Sequence, residues 1–163
     1  MGKFTLTHEI GGDQDAFWSA FFDSSITEKL YLETLAVKAF NILEKSETDT
    51  QILRKLYIQP QMDVPTPVAK LRGQNYSIVE EGVFDKSTKI WRWKQIPSTM
   101  SDKIRTEGTI RIEPIVDGKV RRILEVTLEA KVFGVGGLIE SSSEKAFREE
   151  ADRTAIYFSN ILK

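Results

Sequence analysis

The chain has no cysteine and a single histidine, His8. Without thiols there is no disulfide framework, no thiol nucleophile and no zinc–thiolate site. No His-x-x-x-His spacing and no Asp-rich calcium loop occurs, so no metal is expected. Neither sign of charge dominates: 23 Lys and Arg stand against 24 Asp and Glu, a net charge of -1. A chain without a basic field is not expected to bind nucleic acid. No apolar run is long enough to span a bilayer, so stable membrane insertion is not expected. The first fifteen residues, MGKFTLTHEIGGDQD, lack the apolar stretch of a secretory signal. The myristoylation pattern wants Ser or Thr at position 6, where Leu6 stands. A cytoplasmic location is the default expectation.

What is present is an ordinary globular composition, 40% hydrophobic and 29% charged over 163 residues. That length suggests one domain over 1–163, large enough to bury a full core. Lys3 to Ile10 alternates, with Phe4, Leu6, His8 and Ile10 on one face, as a half-buried strand does. Asp13 is placed to cap a helix over Gln14 to Phe22, and Ser25 to cap a second from Ile26 to about Tyr31. Six strands are then predicted in hairpin order: Thr34 to Glu44, Gln51 to Gln59, Gln74 to Phe84, Lys89 to Ile96, Arg105 to Pro114 and Lys119 to Val132. The last two are joined at Val116-Asp117-Gly118, where glycine supplies the positive φ that a tight hairpin turn needs.

Pro60, Pro65 and Pro67 interrupt this meander, because proline cannot donate to a sheet ladder. Thr66 followed by Pro67, with Gly73 beyond, predicts a short helix over Pro67 to Arg72 with Thr66 as its cap, set in a loop that could act as a lid. After the sharp corner Phe133-Gly134-Val135-Gly136-Gly137, a long amphipathic helix runs from about Leu138 to the C-terminus. Its apolar stripe is read as Leu138, Phe147, Ala151, Thr154, Ala155, Phe158, Ile161 and Leu162, so it must lie on the sheet. Strands in sequence, flanked by helices, argue for an antiparallel α+β architecture.

The order strand, two short helices, six antiparallel strands and long C-terminal helix resembles the START-like superfamily, which includes polyketide cyclases and has the helix-grip fold. The corner and helix start, Phe133 to Glu140, resemble a bacterial branch of uncharacterised START-like domains. The resemblance implies a curved antiparallel sheet of about seven strands wrapped around the C-terminal helix. It further implies an apolar cavity between them for a lipid or similar hydrophobic molecule. It carries no catalytic residue over to this chain.

Within that frame the candidate ligand contacts are chosen by strand parity and helix periodicity. Trp91 and Trp93 flank Arg92 and share a face, which makes either a cavity wall or a core wall against the helix. Arg54 shares parity with Ile52, Leu56 and Ile58, and Glu80 with Tyr76, Ile78 and Phe84. A charge on a concave face must pair or meet a ligand, so Arg54 and Glu80 are candidates for the polar end of a pocket; the alternative is a solvated sheet end. Tyr76, Phe84, Ile110, Val126, Phe147 and Phe158 complete the candidate contact set. Gly136, Gly137, Glu140, Val68 and Leu71 are candidates for the cavity mouth, although Glu140 also suits a helix start for electrostatic reasons alone. Tyr31, Tyr57, Tyr76 and Tyr157 each offer a hydroxyl, and the sequence does not choose among them.

The glycine cluster is not a dinucleotide loop. Gly134-x-Gly136 would need a third glycine at position 139, where Ile139 stands, and no strand follows the helix. No cofactor is expected. His8 has no visible partner for general-base work and reads as structural. Three functions remain: binding of a hydrophobic small molecule, a cyclase or aromatase using the same cavity, and a protein-interaction module with a filled core. The first is preferred, because corner glycines and a proline flap suit an openable cavity.

Overall fold

The computed structural model describes residues 2–61 and 63–162. Seven antiparallel strands form one sheet: β1 (Gly2–Gly11), β2 (Ala39–Glu47), β3 (Gln51–Gln59), β4 (Ile78–Asp85), β5 (Ile90–Pro97), β6 (Ile104–Val116) and β7 (Lys119–Ala130). Their spatial order is β1-β7-β6-β5-β4-β3-β2, so six consecutive hairpin neighbours are joined at one end by the first strand. Four α-helices accompany them: α1 (Gln14–Phe22), α2 (Ser24–Lys29), α3 (Thr66–Arg72) and α4 (Gly136–Ile161). This is the helix-grip α+β fold.

The hydrophobic alternation of β1 places Leu6 and Ile10 in the core, as its period of two requires. Asp13 caps α1, its carboxylate accepting from the Ala16 amide at 2.7 Å. Phe17, Trp18 and Phe22 then pack inward against Phe84 and Trp91 of the sheet. Helix α4 lies on β1 and β7, burying Ile139, Ala151, Ala155 and Phe158.

Several boundaries differ from the sequence reading, each for a local reason. Asp23 rather than Ser25 caps α2, its carboxylate accepting from the Ile26 amide at 2.9 Å, because the chain leaves α1 in an extended conformation at Asp23. Helix α2 then runs into a π-helical turn over Leu30–Thr34, closed by the Leu35 amide on the Leu30 carbonyl at 2.8 Å. Thr34 therefore belongs to that turn, and β2 starts at Ala39 rather than Thr34. Residues 74–77 stay outside β4, where the Ser77 amide donates to the Ser98 hydroxyl at 2.9 Å. Thr66 opens α3 as its first residue and makes no capping bond. Strand β7 ends at Ala130, and α4 begins two residues before Leu138. Leu138 and Ile161 lie largely exposed, while Ile139 takes the buried place at that end of the helix.

Candidate functional site

Two chambers lie between the sheet and α4. The floor of the inner one is β5, whose alternation turns Trp91 and Trp93 inward and leaves Arg92 and Lys94 in solvent. Both indoles lie flat on the sheet because Gly82 and Gly108, on the two neighbouring strands, have no side chain to displace them. From α4, Phe147 stacks on Trp93 with 5.7 Å between ring centroids and 24° between planes. Phe158 and Ile110, with Phe21, Leu30 and Leu124, add to the apolar wall of this inner chamber, whose volume is about 110 Å³.

The outer chamber is larger, about 340 Å³, and opens beneath α3 and the proline-containing segment before it. Val68, Tyr76 and Ile139 line it, and Pro60, Gln61 and Val64 border it from the loop. The Arg72 guanidinium sits 4.4 Å from the centre of the Tyr76 ring at the same level. Tyr31, Leu35, Gln95, Phe147 and Glu150 line both chambers and so form the throat between them.

The throat and the inner chamber bring buried charged groups among their apolar walls. Arg54 and Glu80 are both buried, which excludes the solvated sheet end. They do not form a direct ion pair with each other among the described residues. Arg54 Nη1 donates to the Phe21 carbonyl at 2.6 Å, and its guanidinium lies 4.5 Å from the Phe21 ring centre and 5.2 Å from that of Trp91. Glu80 accepts from Gln95 Nε2 at 3.2 Å. Burial pushes the Glu80 carboxyl above its ordinary range, with Arg54 and the Gln95 bond acting in the opposite sense. Burial likewise pushes Glu150 up to about 7, opposed by Arg153 and reinforced by Glu80 and Glu149. The Tyr31 hydroxyl is raised well above its ordinary value by burial and by Glu80.

A second buried guanidinium, Arg122 on β7, also lines the inner chamber. Its Nη2 donates to the Ala151 carbonyl at 2.9 Å and approaches His8 Nδ1 at 3.3 Å. His8 Nε2 lies 2.8 Å from a carboxylate oxygen of Asp152, at the surface. Burial lowers Arg122 to about 10, with Asp152 opposing, so it remains charged at neutral pH.

Of the ten candidate ligand contacts chosen in the sequence, eight line these chambers, together with Val68 from the expected mouth: Arg54, Glu80, Trp91, Trp93, Ile110, Phe147 and Phe158 in the inner, with Phe147 shared, and Tyr76 in the outer. Phe84 is packed away among aromatic rings, 4.6 Å from Trp18 and 5.3 Å from Phe22, and Val126 is core. The expected mouth residues separate. Leu71 points out, 39% exposed, and Gly137 faces open space. Gly136 instead lies against the Ala130 carbonyl, where a Cβ would come within 2.4 Å. Glu140 accepts from the Ala130 amide at 3.0 Å, a bond that holds its carboxyl below the usual range and ties the start of α4 to the end of β7. Tyr157 donates to the Ile26 carbonyl at 2.8 Å, which leaves Tyr31 and Tyr76 as the tyrosines of the chambers.

The sequence reading missed Arg122, Gln95 and Glu150, and it named Tyr31 only as one of four tyrosines. Arg122 shares parity with Val120, Leu124 and Val126, the same signal that singled out Arg54. No helix of the described residues is long and apolar enough to cross a membrane, and no cluster of three or more metal-ligating side chains occurs among them.

Residues 5–160 match the family described as "Protein of unknown function (DUF2505)". The chain belongs to this family. No curated protein matches it. Among solved structures it is similar to the Zhui aromatase/cyclase from Streptomyces sp. R1128, at 12% identity and a TM-score of 0.66, over 99% of this chain and 93% of that one. It is similar to a START superfamily protein from Mycobacterium smegmatis, at 12% identity and 0.64, over 98% of each chain. It is also similar to norcoclaurine synthase from Thalictrum flavum, solved with dopamine and hydroxybenzaldehyde, at 11% identity and 0.69, over 99% and 86%. These likenesses establish the START-like fold.

Proposed function

We propose that this protein binds a hydrophobic small molecule, such as a lipid, between the sheet and α4. The reading rests on one observation: two chambers that share a throat and carry aromatic and aliphatic walls, with charged groups set among them, Arg54, Glu80 and Arg122 in the inner and Asp63, Arg72 and Arg153 in the outer. Apolar area removed from water supplies the affinity in such a site, and a few placed polar groups fix the orientation. Pro60, Gln61, Asp63, Val64, Val68 and Arg72 border the outer chamber, and α3 with the loop before it serves as the gate. A module with a filled core and no ligand would lack this space.

Native mass spectrometry of the freshly purified protein, followed by denaturing extraction, tests the reading. A co-purifying apolar molecule is expected. Ser143→Trp, which fills the outer chamber from α4, is expected to abolish that species while changing stability by less than about 1 kcal/mol. A clean mass that stays clean after incubation with fatty acids, sterols and aromatic polyketides would sink it.

A second reading has its own support. Tyr31 and Glu150 line the throat and Glu80 lines the inner chamber, and a carboxyl poised near neutrality is suited to general acid–base chemistry. The fold is shared with an aromatase/cyclase and with norcoclaurine synthase. An enzyme would convert the co-purifying molecule or a close analogue during incubation. A simple binder returns it unchanged.

A further inference from the structure

The inner chamber contains hydrogen-bond donors that lack acceptors. Arg54 and Arg122 are each 3% exposed, and the Nε of each has no partner. Trp93 Nε1 is buried and unpartnered as well. All three side chains line the chamber. No buried side-chain oxygen among the described residues is left without a partner, so the imbalance runs one way. Buried donors are almost always satisfied in folded proteins, and an unsatisfied one attached to a charge is the most costly kind.

The charge points the same way as the hydrogen bonds. Arg54 rests on aromatic faces and on the Phe21 carbonyl, and Arg122 on the Ala151 carbonyl and His8. Neither forms an ion pair with a carboxylate among the described residues. The two carboxyls in the chamber, Glu80 and Glu150, are both shifted by burial toward their neutral form.

We propose that the inner chamber is an acid-recognising subsite, in which Arg54, Arg122 and Trp93 hold the carboxylate of an amphipathic molecule whose apolar body passes the throat into the outer chamber. This rests on the hydrophobic-ligand reading above and names the chemical class of the ligand. Guanidinium groups suit a carboxylate in geometry and in charge. An alcohol of the same shape brings no charge to two buried cations, and an amine brings the wrong one.

Isothermal titration of the full chain with matched ligands tests this. One set is dodecanoate, dodecan-1-ol and dodecylamine; the other is 2-naphthylacetate with the corresponding alcohol and amine. In at least one set the acid is expected to bind about tenfold or more tighter than the alcohol, with the amine weakest. Arg54→Met and Arg122→Met are expected to weaken binding of the acid by about tenfold or more and so to remove its preference over the alcohol. Where a variant does not fold, the ligand sets on the unaltered protein decide alone. An alcohol or amine that binds as tightly as its acid in every set that binds overturns the acid subsite and leaves the hydrophobic-ligand function standing. No binding by any of the six overturns both.

Discussion

The Trp91 indole occupies the space that a side chain at Gly82 would need. A Cβ built on Gly82 falls 2.0 Å from Cζ2 of that ring, and the two residues lie on paired strands, β4 and β5. The indole is almost fully buried and packed edge-on against the Phe21 and Phe22 rings, so it moves only by giving up those contacts. Gly82→Ala is therefore expected to destabilise the fold by about 1–3 kcal/mol, read as a lower urea midpoint. Gly137→Ala, at a helical glycine facing open space, should be neutral or stabilising by up to about 1 kcal/mol. Equal effects at the two positions would contradict this packing.

Glu150 gives stability a pH dependence whose sign is fixed. Its folded-state value of about 7 lies above its ordinary value of 4.5, so between those limits the native chain holds a proton that the unfolded chain has released. Stability contributed by this group is full below about pH 4.5, falls as pH rises and is lost above about pH 7. Glu150→Gln removes the ionisation. The variant should match the wild type at pH 4 and exceed it at pH 8 by roughly 1–3 kcal/mol. Denaturant titrations of both proteins at the two pH values check this, and a variant that loses stability at pH 8 contradicts it.

Arg122, His8 and Asp152 form a chain from the inner chamber to the surface, and its links are unequal. A guanidinium only donates, so His8 Nδ1 accepts and the imidazole proton sits on Nε2, facing Asp152. His8→Ala strips one partner from a buried charge and should cost about 1–3 kcal/mol. Asp152 is 71% exposed, and Asp152→Asn should cost less than about 1 kcal/mol. Chemical denaturation of the two variants separates them; a larger loss at Asp152 would reverse the assignment.

The parts of the site that follow a strict period were legible in the sequence. Arg54, Trp91 and Trp93 were placed by alternation along strands whose partners run the length of the sheet, and alternation survives small errors in strand ends. Tyr31 was named but could not be singled out among four tyrosines, because it lies in a π-helical turn that a 3.6-residue period does not describe. Glu150 was hidden for the opposite reason. It lies three residues after Phe147 on the rim of the apolar stripe, where charge alone assigns it to solvent. Phe84 and Val126 share the parity of chamber residues yet sit in the core, since parity gives the face of a strand and not what covers it. The corner glycines were read as a mouth, whereas Gly136 lets α4 approach the Ala130 carbonyl.

The flat indoles on β5 also make the molecule its own optical reporter. The chain has three tryptophans; Trp91 and Trp93 line the inner chamber, while Trp18 is sealed among phenylalanines and touches neither chamber. Filling the chamber changes the dielectric surroundings of two emitters and leaves the third as an internal constant. Occupancy of the cavity can thus be followed as a change in intrinsic fluorescence, without a label and without altering a residue.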